Sequence, residues 1–369
     1  MPVLISGSDM VTALGGAEDT LAGLYGGKSA VAPVAVGDPA KLGVGHGYPI
    51  ADGPDTTLRA SRWLSGCVQR AVAAARLDPD ARVVALVGTG LRELRSVERW
   101  HGDGDPLRRR DTHFASAVRS VLPAATEVHT LSNACAASGY ALALGADLLE
   151  LDEADAVVVA GTDSMTESML TMIGRVGDGP VTEVRPFEVE RGGVLLGEGA
   201  AAVVLQRAGE AAGPGMGRLL AVATTCDAHH ETAPLAARIA DTVREAHRRA
   251  GIGPSDVDLV VAHGTATALN DPTEATVLTE VFGAGGPLVT GLKGSLGHTS
   301  GGAALMGVLV ALEALRTGRV PPTVGLVTPI EQAATLRMVI GAPVRAPLAV
   351  AQVDAFGFGG VNAVMVVAA

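Results

Sequence analysis

The chain has 369 residues, 28 of them basic and 39 acidic, for a net charge of −11. That length accommodates one large or two moderate domains, and the acidic balance argues against nucleic acid as the main ligand, because phosphate binding needs a basic surface. Glycine supplies 48 residues and aromatics only 3%. With no Gly-X-Y period or low-complexity tract, collagen-like and disordered chains are excluded, and a core of Ala, Val and Leu with many tight turns is expected.

Taken in order, valine-rich apolar runs predict buried strands at 3–6, 83–87, 156–160, 201–205, 219–223, 257–262, 287–290, 349–353 and 363–367. Between them, residues 58–76, 136–150, 235–250, 271–282 and 303–317 read as helices. The alternation predicts an α/β protein. The longest apolar run, 303–312, is about half of a membrane span, and the N-terminus lacks a basic leader region. A cytoplasmic protein without a membrane partner is expected. Cys67, Cys135 and Cys226 are too few for a disulfide framework and are not spaced for zinc, so no metal is expected.

The chain also echoes itself. Ser132-Asn133-Ala134-Cys135-Ala136-Ala137-Ser138-Gly139 leads into an Ala/Leu helix, and so does Ser295-Leu296-Gly297-His298-Thr299-Ser300-Gly301-Gly302. Each half closes on an apolar strand, and the stretch 210–217 reads as a joint between similar halves. Chance similarity in an Ala/Gly-rich chain competes with this reading.

Cys135 follows an extended segment and precedes a helix, where the dipole and free N–H groups favour the thiolate. A buried, inert cysteine is the alternative. His263 leaves the strand at 257–262 into a small-residue loop, a usual place for a site in an α/β fold. His298 sits in a similar glycine-punctuated turn. Lone histidines are usually structural, but two in matching turns beside such a cysteine point to a site. Glu198 lies in an apolar stretch, 191–199, read as a strand, where a carboxylate needs a partner. Lys293 lies in similarly uncharged sequence, so a buried Lys293–Glu198 pair is expected. Such a pair can be purely architectural. Glycines in Phe356-Gly357-Phe358-Gly359-Gly360-Val361-Asn362 expose backbone N–H groups in a turn or hairpin.

These segments resemble the β-ketoacyl-ACP synthases (type II-like ketosynthases) of the thiolase superfamily. Five carry the resemblance in the family's order: 134–138, 191–199, 263–271, 293–299 and 356–362. The opening segment Gly7 to Gly15 fits as well. The resemblance implies a thiolase-like fold of two similar halves, each with a mixed five-stranded sheet, layered α-β-α-β-α. Residues 1–208 would carry the nucleophilic cysteine and 209–369 the two histidines.

The implied activity is decarboxylative Claisen condensation of an acyl thioester on Cys135 with malonyl-ACP, in fatty-acid or polyketide-type biosynthesis. His263 and His298 would bind the malonyl thioester carbonyl, with Lys293 orienting His298 and Glu198 balancing its charge. The N–H groups of Cys135 and Phe358 would form an oxyanion hole, Phe358 would gate the site with Phe356 supporting it, and Gly359 would help bind the substrate. Thr265 and Thr267 would hold phosphopantetheine, which is carried by the partner acyl carrier protein; the enzyme itself needs no cofactor.

Arg59, Arg62 and the run 108–110 are candidates for meeting an acidic carrier, although a solvated charged face explains them equally. Ala266 stands where the family often has Gly, placing a methyl beside the expected pantetheine tunnel; Gly193 stands where Asp is common. The chain is also short between Lys28 and Arg82, which affects the entrance. A homodimer with adjoining sheets is implied, and a heterodimer with a related chain is the alternative. Other readings are an acyltransferase or thioester hydrolase using Cys135, or a ketosynthase-like subunit.

Overall fold

The computed structural model describes residues 3–176, 181–213 and 215–369, so Pro214 of the expected joint lies outside it. Ten strands build the architecture: β1 (Val3–Thr12), β2 (Val83–Gly88), β3 (Ala125–Leu131), β4 (Ala156–Asp163), β5 (Gly199–Arg207), β6 (Gly217–Cys226), β7 (Leu259–Ala262), β8 (Leu288–Gly291), β9 (Val350–Gly357) and β10 (Val361–Ala368). All nine expected strands are among them. The tenth, β3, was legible only at its end, because Glu127 and His129 interrupt the apolar pattern on an exposed edge.

The strand order is β8-β7-β9-β10-β6 continuing into β1-β5-β4-β2-β3. Within each five, counted from its own first strand, the order is first, fifth, fourth, second, third. The directions repeat too. β1–β5 and β5–β4 are antiparallel, and β4–β2 and β2–β3 are parallel. β6–β10, β10–β9, β9–β7 and β7–β8 follow the same sequence. Among the described residues, only Val3–Ile5 against Gly217–Leu219 joins the two fives, in antiparallel register. The expected pair of five-stranded sheets is thus edge-joined into one, extended by short strands at Gly15–Gly16 and Arg337–Met338.

Five long helices match the sequence reading: α1 (Arg59–Ala75), α2 (Ala137–Glu150), α3 (Ala236–Ala250), α4 (Asn270–Phe282) and α5 (Ala303–Thr317). α2 and α5 lie between the two five-stranded halves of the sheet and share the largest apolar cluster, which includes Leu142, Leu149, Leu305 and Leu309. α1 covers the outer face of the first half through Leu64, Val68 and Ala71. α3 and α4 cover the second through Ile239, Val243 and Val277. The result is the α-β-α-β-α layering, driven by burial of alternate apolar faces. The segment Ser300–Thr317 is long and apolar enough to cross a membrane, yet 78% of it is buried inside the protein, as a central core helix must be.

The expected strand at 191–198 is absent. That stretch is irregular, joined by single bridges from Leu196 to His298 and from Gly197 to Tyr48. Glycine is the cause: a Cβ on Gly197 would lie 2.1 Å from the Leu296 carbonyl oxygen. Backbone meets backbone here, and this contact holds the His298 turn.

Candidate active site

Cys135 lies in a single turn (Ala134–Ala136) immediately before α2. Gly88, at the end of β2, brings that turn close, since a Cβ there would meet Ser138 N at 2.4 Å. His263 follows the last residue of β7. His298 follows the short helix Lys293–Leu296 and Gly297, whose φ is +67°. Its backbone is pinned on both sides: His298 N donates to Leu195 O, and Gly197 N donates to His298 O, each at 2.9 Å.

These elements bring the predicted trio together. His298 Nε2 lies 2.9 Å from Cys135 Sγ. The His263 and His298 rings meet edge to face at 5.4 Å, and Phe356 packs on His263 at 5.8 Å. The backbone N–H groups of Phe358 and of Cys135 itself point at the sulfur. Thr265 and Thr267, their hydroxyls 2.8 Å apart, line the open cavity with the trio and Phe358. Phe358 is 43% exposed. It heads the turn between β9 and β10, where Gly359 N donates to Glu231 O at 2.8 Å.

The electrostatics follow from burial. Both histidines are held well below the usual imidazole range, by desolvation first and then by the Lys293 charge, so both are neutral at neutral pH. Burial pushes the Cys135 thiol up to about 11, opposed by Lys293 and the two N–H groups. The helix N-terminus therefore does not produce a resting thiolate. A neighbouring base must take the proton. Among the described residues, the donor atoms of Cys135, His263 and His298 lie within 4.8 Å of one another, a spacing that could also hold a metal ion.

Lys293 departs from expectation. Its Nζ donates to the His263 carbonyl oxygen and lies 3.3 Å from His263 Nδ1, so it supports His263 and not His298. An ammonium only donates, which leaves the proton of neutral His263 on Nε2. Glu198 is not its partner. Glu198 accepts from Ile50 N, Met165 N and the Arg59 guanidinium.

The carboxylate acting most strongly on Lys293 is Glu274, a residue missed in the sequence. It accepts from His263 N at 2.6 Å and Gly264 N at 2.8 Å. Asp271, one turn earlier on α4, accepts from Phe187 N, Thr265 N and Ala266 N. The available signal was two acids three positions apart on a helix face that also buries Asn270, Ala275, Val277 and Leu278, just beyond the His263 loop.

Arg59 is also corrected. It is 6% exposed and bonded to Glu198 and Asp52, so it is no surface contact. Arg62, one helical step on, is exposed and shares a groove with Arg108 and His113. Ala266 takes φ +63° and packs among Tyr48, Leu195 and Leu196; its methyl belongs to the core, and the cavity wall is Thr265 and Thr267.

Residues 54–211 match the β-ketoacyl synthase N-terminal domain and residues 216–327 its C-terminal domain. The chain belongs to the β-ketoacyl synthase family. Members are condensing enzymes of fatty-acid and polyketide biosynthesis. This synthase is 29% identical over 308 residues to the 3-oxoacyl-[acyl-carrier-protein] synthase 2 of Mycobacterium tuberculosis, covering 76% of this chain and 73% of that one. The chloroplastic synthase I of Arabidopsis thaliana is 29% identical over 308 residues, covering 76% and 64%. Among solved structures, the ishigamide ketosynthase/chain length factor matches with a TM-score of 0.89 and 26% identity, over 100% of this chain and 98% of that one.

Proposed function

We propose that this synthase catalyses decarboxylative Claisen condensation between an acyl group on Cys135 and a malonyl thioester. The reading rests on one observation above all: Cys135 Sγ is hydrogen-bonded to His298 Nε2, with a second histidine held beside it by Lys293.

In acyl transfer, His298 Nε2 takes the thiol proton as Sγ attacks the acyl thioester. The proton then goes to the departing pantetheine thiolate. In condensation, the malonyl carboxylate leaves as CO₂ and the thioester oxygen gains the negative charge. Donors fixed at that oxygen stabilise it. His263 Nε2–H is one; once Cys135 is acylated and no longer donates to it, neutral His298 in its Nε2–H tautomer serves as the other. The carbanion attacks the acyl carbonyl, whose oxygen sits at the N–H groups of Cys135 and Phe358. Collapse expels the Cys135 thiolate, which regains a proton from solvent by way of His298 Nε2, 2.9 Å away. Simple acyl transfer or hydrolysis would not require the second histidine with its lysine. A non-catalytic subunit would not require the cysteine.

The partner is an acyl carrier protein bearing the phosphopantetheine arm, with Thr265 and Thr267 along the arm's path and Arg62 and Arg108 facing an acidic carrier. A solved complex of an acyl-carrier protein with its type II polyketide ketosynthase shares the fold. The repeated strand order supports residues 1–208 and 209–369 as duplicated halves. Strand β3, with one edge unpaired among the described residues, supports association with a second copy or a related chain across a continuous sheet.

Cys135→Gln tests the condensation reading. It removes the acyl acceptor but keeps both histidines, so it should still release CO₂ from malonyl-carrier protein. No release from it or from wild type would rule decarboxylation out.

A further inference from the structure

Asp163, the last residue of β4, is a buried carboxylate outside the trio. Both of its oxygens are filled. Oδ1 accepts from Thr89 Oγ1 at 2.6 Å and Leu91 N at 2.8 Å; Oδ2 accepts from Gly90 N at 2.8 Å and Gly301 N at 2.7 Å. Three donors come from the loop after β2, in the half that carries Cys135. The fourth comes from the other half, three residues beyond His298.

The surrounding backbone is built for this contact. Ser300 takes φ +47°, and a Cβ on Gly301 would lie 2.3 Å from Thr89 Cα. A Cβ on Gly161 would lie 2.9 Å from Gly302 Cα. The two halves therefore touch backbone to backbone beside the reacting atoms, with one carboxylate spanning the seam.

We propose that Asp163 is a positioning residue for acyl transfer: its carboxylate clamps the loop after His298 onto the Cys135 half and so sets the His298 Nε2 to Cys135 Sγ contact. This rests on the assignment of Cys135 as nucleophile and His298 as base. Burial pushes the Asp163 carboxyl up to about 6 while its donors oppose the rise, so it is ionised at neutral pH. The charged groups acting on the sulfur are Lys293 and Asp163, with opposite sign. Burial is the main reason the thiol stays protonated, and the Asp163 charge adds to it against the pull of Lys293.

Asp163→Asn removes the charge and turns an amide N–H₂ toward donors that need an acceptor. The full-length variant, its folding checked by circular dichroism, is compared with wild type in two reactions. Single-turnover acyl transfer from acyl-carrier protein needs the base; alkylation of Cys135 by iodoacetamide needs only thiolate. Acyl transfer should fall about 10²-fold, the scale for an ångström-level misplacement. Alkylation should not slow, and its pH midpoint should move down.

Unchanged acyl transfer overturns the proposal, and so does a parallel fall in both reactions with an unmoved midpoint, which would mean a merely structural role. If Asp163→Asn does not fold, Thr89→Val decides. It removes one of the four donors and keeps the charge, so acyl transfer should fall relative to alkylation, and an unchanged ratio overturns the proposal. Wild-type acylation reports on Cys135 as nucleophile, and the variant-to-wild-type ratio reports on Asp163.

Discussion

Lys293 holds His263 twice, through the carbonyl oxygen and from 3.3 Å at Nδ1. Burial lowers the lysine to about 8, against the pull of Glu274. Condensation should therefore decline as pH rises through about 8, where the ammonium is lost. On the acid side, both histidines stay neutral to well below pH 6.5, so activity should persist there. In Lys293→Arg the charge cannot be lost, and residual CO₂ release should show no decline near pH 8; a limb in the same place would assign it elsewhere. The linked stability effect has a definite sign. Between about pH 8 and the free-lysine value, the folded chain binds fewer protons than the unfolded one. The penalty for burying this charge is thus present below pH 8 and is relieved as pH rises.

Arg59 and Arg62 differ by one helical turn's offset and should behave oppositely. Arg59→Met leaves Glu198 uncompensated at 1% exposure and should cost about 3–5 kcal/mol in denaturant unfolding. The KM for carrier protein should change little in the protein that remains folded. Arg62→Glu should leave stability within about 0.5 kcal/mol and raise that KM. A raised KM in both, with intact stability, would return Arg59 to the surface.

Cys135 should be a slow thiol at rest. With its pKa near 11, its thiolate fraction at neutral pH is roughly two orders of magnitude below that of an ordinary cysteine thiol. Iodoacetamide labelling located by peptide mass spectrometry should rise steeply only in the alkaline range. Rapid labelling of Cys135 at neutral pH would mean the dipole wins over desolvation.

Ala266→Gly weighs two opposed effects. Relieving a left-handed alanine gains about 1 kcal/mol, and losing a buried methyl costs about 0.8 kcal/mol. Thermal unfolding should shift little, and acyl-carrier kinetics should not change. A changed acyl-chain preference would put the methyl in the tunnel after all.

The strands, the long helices and the trio of Cys135, His263 and His298 were legible because each is a local pattern: a valine run, an amphipathic period, or a small-residue turn leaving a strand. The charge partners were not. Glu198 meets Arg59 because residues 50–52 fold back over both of them, and Lys293 meets His263 because β7 and the 293–296 turn are neighbours in space. Which buried cation faces which carboxylate is decided by long-range packing. At Cys135 only the argument that the helix N-terminus favours the thiolate is outweighed, and on magnitude. A helix N-terminus supplies about 0.3–1 kcal/mol, whereas burial can move a pKa by several units. Asp163 gave no local sign, because its donors come from loops on both sides of the seam.

The central claim is that Cys135 carries the growing acyl chain, and intact-mass analysis after incubation with an acyl-carrier protein tests it most directly. The account predicts a single acyl adduct on wild type, located at Cys135, absent from Cys135→Ala, and discharged with CO₂ release when malonyl-carrier protein is added. An adduct that persists in Cys135→Ala, or one that malonyl-carrier protein cannot discharge, would contradict it.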